Sequence, residues 1–175
     1  MKSQLTNYIL KREAGKIITQ LEFNGLKEVE SFLFIFCAEN IEDLKEVKDL
    51  ALTPDLRQKK LTFWGLINEK DLPEFRTEAR DFNFITNKDL NYLKIPKEDK
   101  VKELQKVQFD VLINLSQEIN STISYLALKA NSRFKISKYE QNQSFIYDLM
   151  IDCKKDTSIV NFTAQVLHYL SLIKK

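Results

Sequence analysis

Short apolar runs rich in Val, Ile and Phe recur along the chain, separated by helical or polar stretches that hold almost no glycine. They span Phe32–Ala38, Leu61–Ile67, Phe82–Ile85, Phe109–Leu115 and Tyr147–Asp152. Runs of this length between helical segments predict strands of an α/β sheet. The run at 32–38 shows no polar alternation, as expected of a strand covered on both faces in a parallel sheet. It is expected at the centre, and Phe109–Leu115 has the content of a second central strand.

The segments between the runs predict helices. Residues 3 to about 22 carry Leu5, Tyr8, Ile9, Ile17 and Leu21 near helical spacing, with Gly15 as an interruption and Gly25 beyond the end. This amino-terminal arm, taken as residues 1–28, is expected to pack on its own sheet or on a second copy of the protein as a homodimer. A helix after Asn40 carries Ile41, Leu44, Val47, Ala51 and Leu52 on one face, and Thr53–Pro54 stops it. Residues 68–81 are polar and irregular. Thr86–Asn87 caps a short helix through Leu93 that ends before Pro96, and another helix spans about 97–107.

Beyond residue 116 a helix presents Ile123, Leu126, Ala127 and Ala130, followed by a short strand, Phe134–Ser137. The polar link Lys138–Ser144 has hairpin length, so the strands at 134–137 and 145–152 are expected to pair antiparallel at one edge. The last helix carries Ile159, Phe162, Val166, Tyr169, Leu170 and Ile173 in one stripe. These elements make a single Rossmann-like three-layer α/β domain over residues 1–175, with a mostly parallel sheet, an antiparallel edge pair and the helical arm.

Composition narrows the function classes. At 175 residues and 43% hydrophobic content the chain can bury a core without disulfides or metals. Lys and Arg number 27 against 25 Asp and Glu, so no overall field draws the protein to nucleic acid or anionic lipid. Nucleic-acid binding would have to rest on the local cluster of Lys11, Arg12 and Lys16 and would show steep salt dependence. Cys37 and Cys153 read as reduced thiols, and the first residues hold no apolar stretch of signal-peptide length. A soluble cytoplasmic protein is expected.

Chemistry is sparse. The only histidine, His168, falls opposite the apolar stripe of the last helix and faces water, which leaves no base near either cysteine. One histidine and two isolated cysteines give no metal-ligand spacing, so no metal and no cofactor is expected. The turns at 37–40, 67–70 and 114–118 contain no glycine, and Glu39 and Glu118 would repel a phosphate. A dinucleotide loop and a Walker loop are both disfavoured. What remains is a polar ridge at the carboxyl ends of the strands: Asn40, Asn68, Asn87, Asn114, Ser116 and Ser137. Ligands of open α/β sheets bind along that edge, although Asn and Ser there also cap helices and close turns. Asp110 and Asp148 lie at amino ends of strands and are expected to end or cap them, whereas Asp152 sits near a carboxyl end.

Phe109–Ser116, Leu126–Ile136, Tyr147–Asp152 and Gln165–Leu170 together resemble an uncharacterised family of short bacterial proteins, a domain of unknown function, over most of residues 82–173. That resemblance implies an α/β domain and no established activity. The stretch 109–136 is also similar to a strand-helix-strand unit in the amino-terminal domain of heptosyltransferase-like glycosyltransferases. Asn114 stands where that family commonly has Asp, and Ser137 where it has Gly. The second Rossmann-like domain that supplies the nucleotide-sugar site there has no room in 175 residues, so this likeness implies fold.

The leading expectation is a non-enzymatic binding or interaction module. The alternative is a ligand-binding or enzymatic domain for a nucleotide or sugar nucleotide, using the ridge around Asn114 and Ser116.

Overall fold

The computed structural model describes residues 2–15, 23–68, 81–154 and 157–173. Six strands, β1 (Ser31–Cys37), β2 (Lys60–Leu66), β3 (Phe82–Ile85), β4 (Phe109–Asn114), β5 (Ser132–Lys138) and β6 (Leu149–Ile151), form one sheet in the order β3-β2-β1-β4-β5-β6. The helices are α1 (Lys2–Ala14), α2 (Ile41–Leu50), α3 (Glu98–Gln105), α4 (Ser121–Lys129) and α5 (Ile159–Leu172). This is a single Rossmann-like α/β domain. The order reverses between β1 and β4, and that is the switch point of the sheet.

β1 is central because both of its faces are apolar. Phe32, Phe34 and Phe36 point to the layer of α2 and α5, and Leu33 and Ile35 to the layer of α1, α3 and α4. All five are buried, each side chain contributing ~2 kcal/mol of transfer free energy. On the first face the rings continue across the sheet: Phe34 stacks on Phe63 at 5.1 Å, and Phe63 on Phe82 at 4.3 Å. Gly65, the register partner of Phe36, leaves room for that ring, since a Cβ there would lie 2.4 Å from it. Gly25 has φ of 99°, and a Cβ would meet the Ile173 carbonyl oxygen at 2.4 Å, so the approach of this segment to the end of α5 requires glycine.

Every ladder is parallel, which corrects the antiparallel edge pair. The link after β5 contains a 3-10 turn at Gln141–Gln143 and then runs back along the sheet, so β6 starts again beside β5. Ile146 and Tyr147, assigned to a strand by their apolarity, instead bury against the α4 layer. β6 is therefore confined to three residues.

Smaller corrections have similar causes. In α2 the buried face is Leu44, Val47 and Leu50, while Leu52 lies beyond the helix and is exposed. In α5 Tyr169, expected on the apolar stripe, is exposed while Leu167 is buried, and His168 is exposed as expected. The helix expected through Leu93 is a single 3-10 turn, Asn87–Asp89, because Asp89 returns to Thr86 N and Oγ1 and closes it. Within the arm, α1 packs on α4, where Lys129 Nζ meets Glu13 Oε2 at 2.5 Å. Ile17, Leu21 and most of the polar stretch 68–81 lie outside the described residues. Among the described residues no helix is long and apolar enough to cross a membrane.

The two acids at the amino edge clamp neighbouring strands. Asp110 Oδ2 accepts from Glu30 N, Ser31 N and Ser31 Oγ at 3.0, 3.0 and 2.9 Å, tying β4 to β1. Burial pushes this carboxyl up, but those hydrogen bonds and the Arg133 guanidinium outweigh it and hold it below its ordinary value. Asp148 accepts from Lys135 N at 2.7 Å, tying the segment before β6 to β5. The Lys135 side chain is buried and donates to the Leu128 carbonyl at 3.2 Å. Burial lowers the Lys135 ammonium to about 8 and raises the Asp148 carboxyl, so desolvation outweighs their mutual attraction at both groups.

A lysine whose folded-state value lies below its unfolded one destabilises the fold where it is charged, and the cost disappears as pH rises from about 8 toward 10.5. Lys135→Met is expected to flatten the rise of unfolding free energy above pH 8, measured by urea titration across pH. An identical pH dependence in variant and wild type would contradict this account.

Candidate functional site

The carboxyl edge of β4, β5 and β6 opens into a cleft of about 480 Å³. Three of the six ridge residues, Asn114, Ser116 and Ser137, line it together. The other three lie elsewhere on the molecule. Asn40 caps α2, its side chain accepting from Asp43 N at 3.0 Å, Asn87 accepts from Lys94 Nζ at 3.1 Å, and Asn68 is exposed beyond β2. Asp152 lines the cleft with Cys153, as its place at a carboxyl end suggests.

The floor is a hydrogen-bonded chain linking two strands to the segment that precedes a third. Asn114 Nδ2 donates to Tyr147 Oη at 2.8 Å, and Ser137 shares a side-chain hydrogen bond with the same hydroxyl. Asn114 Oδ1 accepts from Ser116 N at 3.0 Å, closing the turn after β4. Burial pushes the Tyr147 phenol well above its ordinary value, and the bonds from Asn114 and Ser137 only partly oppose it, so this group stays protonated. Both polar functions of Asn114 are thereby committed inward.

One wall is tied by Lys138. Its ammonium donates to Gln117 Oε1 and to the Thr157 carbonyl, the latter at 3.1 Å, and sits 5.4 Å from the centre of the Phe162 ring. Burial lowers its value, with Cys153 and Glu46 opposing. Two atoms in the walls have no hydrogen-bond partner, Ser116 Oγ and Gln143 Oε1, although their residues are only 8% and 5% exposed. Outside the cleft's polar lining, Ile119 and Tyr139 stand exposed at its rim.

The helix amino termini along this edge are satisfied by the chain itself. At the switch point Asp43 Oδ2 accepts from Glu39 N at 2.9 Å and Asn40 N at 3.4 Å, so a carboxylate occupies the turn where a dinucleotide fold places phosphate. Asn120 Oδ1 accepts from Thr122 N and Ile123 N at the start of α4, and its Nδ2 donates to Cys37 Sγ at 3.7 Å. Glu46 Oε1 accepts from Ile159 N at the start of α5. Burial, then Glu39 and Asp43, push the Cys37 thiol up, which keeps it a neutral thiol. Among the described residues no group of His, Cys, Asp or Glu is placed to hold a metal ion.

The model of a family of unknown function, DUF6913, matches residues 2–173. The chain belongs to this family. DUF6913 membership thus covers both the sheet and the arm, and the match extends to the amino-terminal residues beyond the region carrying the resemblance in the sequence. No curated protein matches the chain. Among solved structures it is similar to the heptosyltransferase WaaC of E. coli, determined with ADP, at 14% identity and a TM-score of 0.56. The match covers 80% of this chain and 46% of WaaC, so the chain spans about half the length of that enzyme. At this identity the likeness establishes the fold that the stretch 109–136 suggested.

Tyr147, Lys138 and Gln143 escaped the sequence reading because they sat inside a supposed edge hairpin. Their shared signal is a polar stretch bordered by Ile146 and Tyr147, which bury although they lie outside any strand. Tyr147→Phe is expected to lower unfolding free energy by roughly 1–3 kcal/mol, because it strands the Asn114 amide and the Ser137 hydroxyl in a buried site. Chemical denaturation of the two proteins tests it, and equal stability would show that the floor does not depend on this hydroxyl.

Proposed function

We propose that the protein is a non-enzymatic cytoplasmic binding module that takes a small polar ligand in the cleft between the ends of β4, β5 and β6. The observation that carries the reading is the pair of unpartnered buried atoms, Ser116 Oγ and Gln143 Oε1, in the wall of one cleft. A buried polar group without a partner costs the fold about 1–3 kcal/mol, and a ligand that bonds both atoms recovers it. The position supports the same reading, since α/β sheets bind ligands at the carboxyl ends of their strands. Two free cysteines, Cys37 and Cys153, support a reducing compartment, and the family resemblance supports a bacterial origin.

Residues kept for folding and residues kept for binding respond oppositely to truncation. Ser116→Ala and Gln143→Met are expected to leave unfolding free energy unchanged, or raised by up to ~1 kcal/mol, because each removes an unpaired group. In a thermal-melt screen against nucleotides, sugar nucleotides, nucleosides and sugars, a ligand at 100 times its dissociation constant stabilises the wild type by about 2.7 kcal/mol. Both variants lose that response. A loss of stability above about 1 kcal/mol in either variant, with the ligand response retained, would assign these residues to the fold.

A second reading, favoured by α1, is association of two copies through the arm. Leu5 and Tyr8 are 47% and 65% exposed on a helix whose Leu10 is fully buried. Tyr8→Glu would then convert a dimer to a monomer in sedimentation velocity. A wild type that sediments as a monomer at high micromolar concentration would end this reading.

A further inference from the structure

We infer that the cleft selects an uncharged polyhydroxylated ring, a sugar or the ribose of a nucleoside, over its phosphorylated counterpart. The inference rests on the cleft being the binding site and adds the class of ligand.

Three observations carry it. First, the places on this edge where a phosphate would find backbone amides are closed by the chain's own groups: Asp43 at α2, Asn120 at α4 and Glu46 at α5. Second, the charges lining the cleft are Glu118, Glu140 and Asp152 against Lys138 and Lys154. The Lys138 ammonium is held in the wall by Gln117 and Thr157, and with both lysines counted the carboxylates still outnumber the ammonium groups, so the lining is net negative toward a ligand. A phosphate dianion meets repulsion there. A hydroxyl meets acceptors, and hydrogen bonds from neutral donors to carboxylates are the strong kind.

Third, the two unpartnered wall atoms suit hydroxyls. Gln143 Oε1 can only accept, and Ser116 Oγ both donates and accepts, so hydroxyl groups, which do both, match the two atoms in hydrogen-bonding character. At the rim Tyr139 and Ile119, 56% and 52% exposed, offer an aromatic plane and an aliphatic face to the C–H side of that ring. Amides, hydroxyls and carboxylates inside, with an aromatic surface at the mouth, are complementary to a molecule with polar edges and an apolar face.

The test titrates the 175-residue protein, labelled with nitrogen-15, with glucose, glucose 6-phosphate, adenosine and AMP, each to about 10 mM. The expected result is that the neutral member of one pair shifts the amides of Ser116, Gln143 and Cys153 and binds about tenfold tighter than its phosphorylated partner. Response in the glucose pair alone identifies a sugar ring, and in the adenosine pair alone the ribose of a nucleoside. Combining Glu118→Gln with Asp152→Asn narrows the neutral-to-phosphorylated ratio to about threefold or less. Tyr139→Ala weakens the neutral probe by about fivefold and leaves the ratio unchanged.

A phosphorylated probe that binds as tightly or more tightly, with the same cleft amides shifting, overturns the ligand class while the site stands. Absence of cleft shifts with all four probes overturns the inference, and the stability of Ser116→Ala and Gln143→Met then judges the broader reading separately.

Discussion

The structure depends on one constraint: β1 must bury both faces and pair along both edges. Phe32, Phe34 and Phe36 require a helical layer on one side, and Leu33 and Ile35 require another on the opposite side. β2 and β4 supply the ladders to left and right. A strand so enclosed fixes a three-layer arrangement, and parallel pairing on both sides forces crossovers that place helices on the two faces. It also creates the switch point, because the chain leaves β1 in one direction toward β2 and returns on its other side as β4. The Asp110 carboxylate pins that return at the amino edge by holding Glu30 and Ser31. The opposite edge is left open for the cleft.

That centre was legible from sequence because it needs only local information. An unbroken apolar run such as Phe32–Phe36 says that both faces are covered, whichever segments cover them. The far edge was not legible, since a polar link of hairpin length followed by Phe145, Ile146 and Tyr147 fits either a returning hairpin or a crossover whose aromatics pack beneath the sheet. Burial of Tyr147 beside Asn114 decides for the second, and that pairing spans 33 positions. Long-range pairing of this kind leaves no periodicity in the chain.

The same limit divides the ridge. Asn114, Ser116 and Ser137 converge because β4 and β5 are adjacent. Asn40 and Asn87 have the same chemistry at the same edge, yet each closes a local contact, with Asp43 and Lys94 respectively. Residue type and strand end alone cannot separate these cases, because a cap and a ligand contact both require a small polar side chain at the end of a strand. The turn after β1 is the clearest instance: its amides point to a carboxylate three or four residues ahead, so the chain supplies from within the anion that related folds take from a cofactor.

The short last strand has a consequence for self-association. A sheet whose outer strand is long and flat offers its free ladder to any extended segment that approaches, including the same strand of another molecule. β6 offers three residues, bounded before by the buried turn at Ile146 and Tyr147 and after by the loop that leads into α5. The segment Phe145–Ile151 therefore spends its aromatic half on the interior and leaves too little ladder at this edge for sheet growth from one copy to the next.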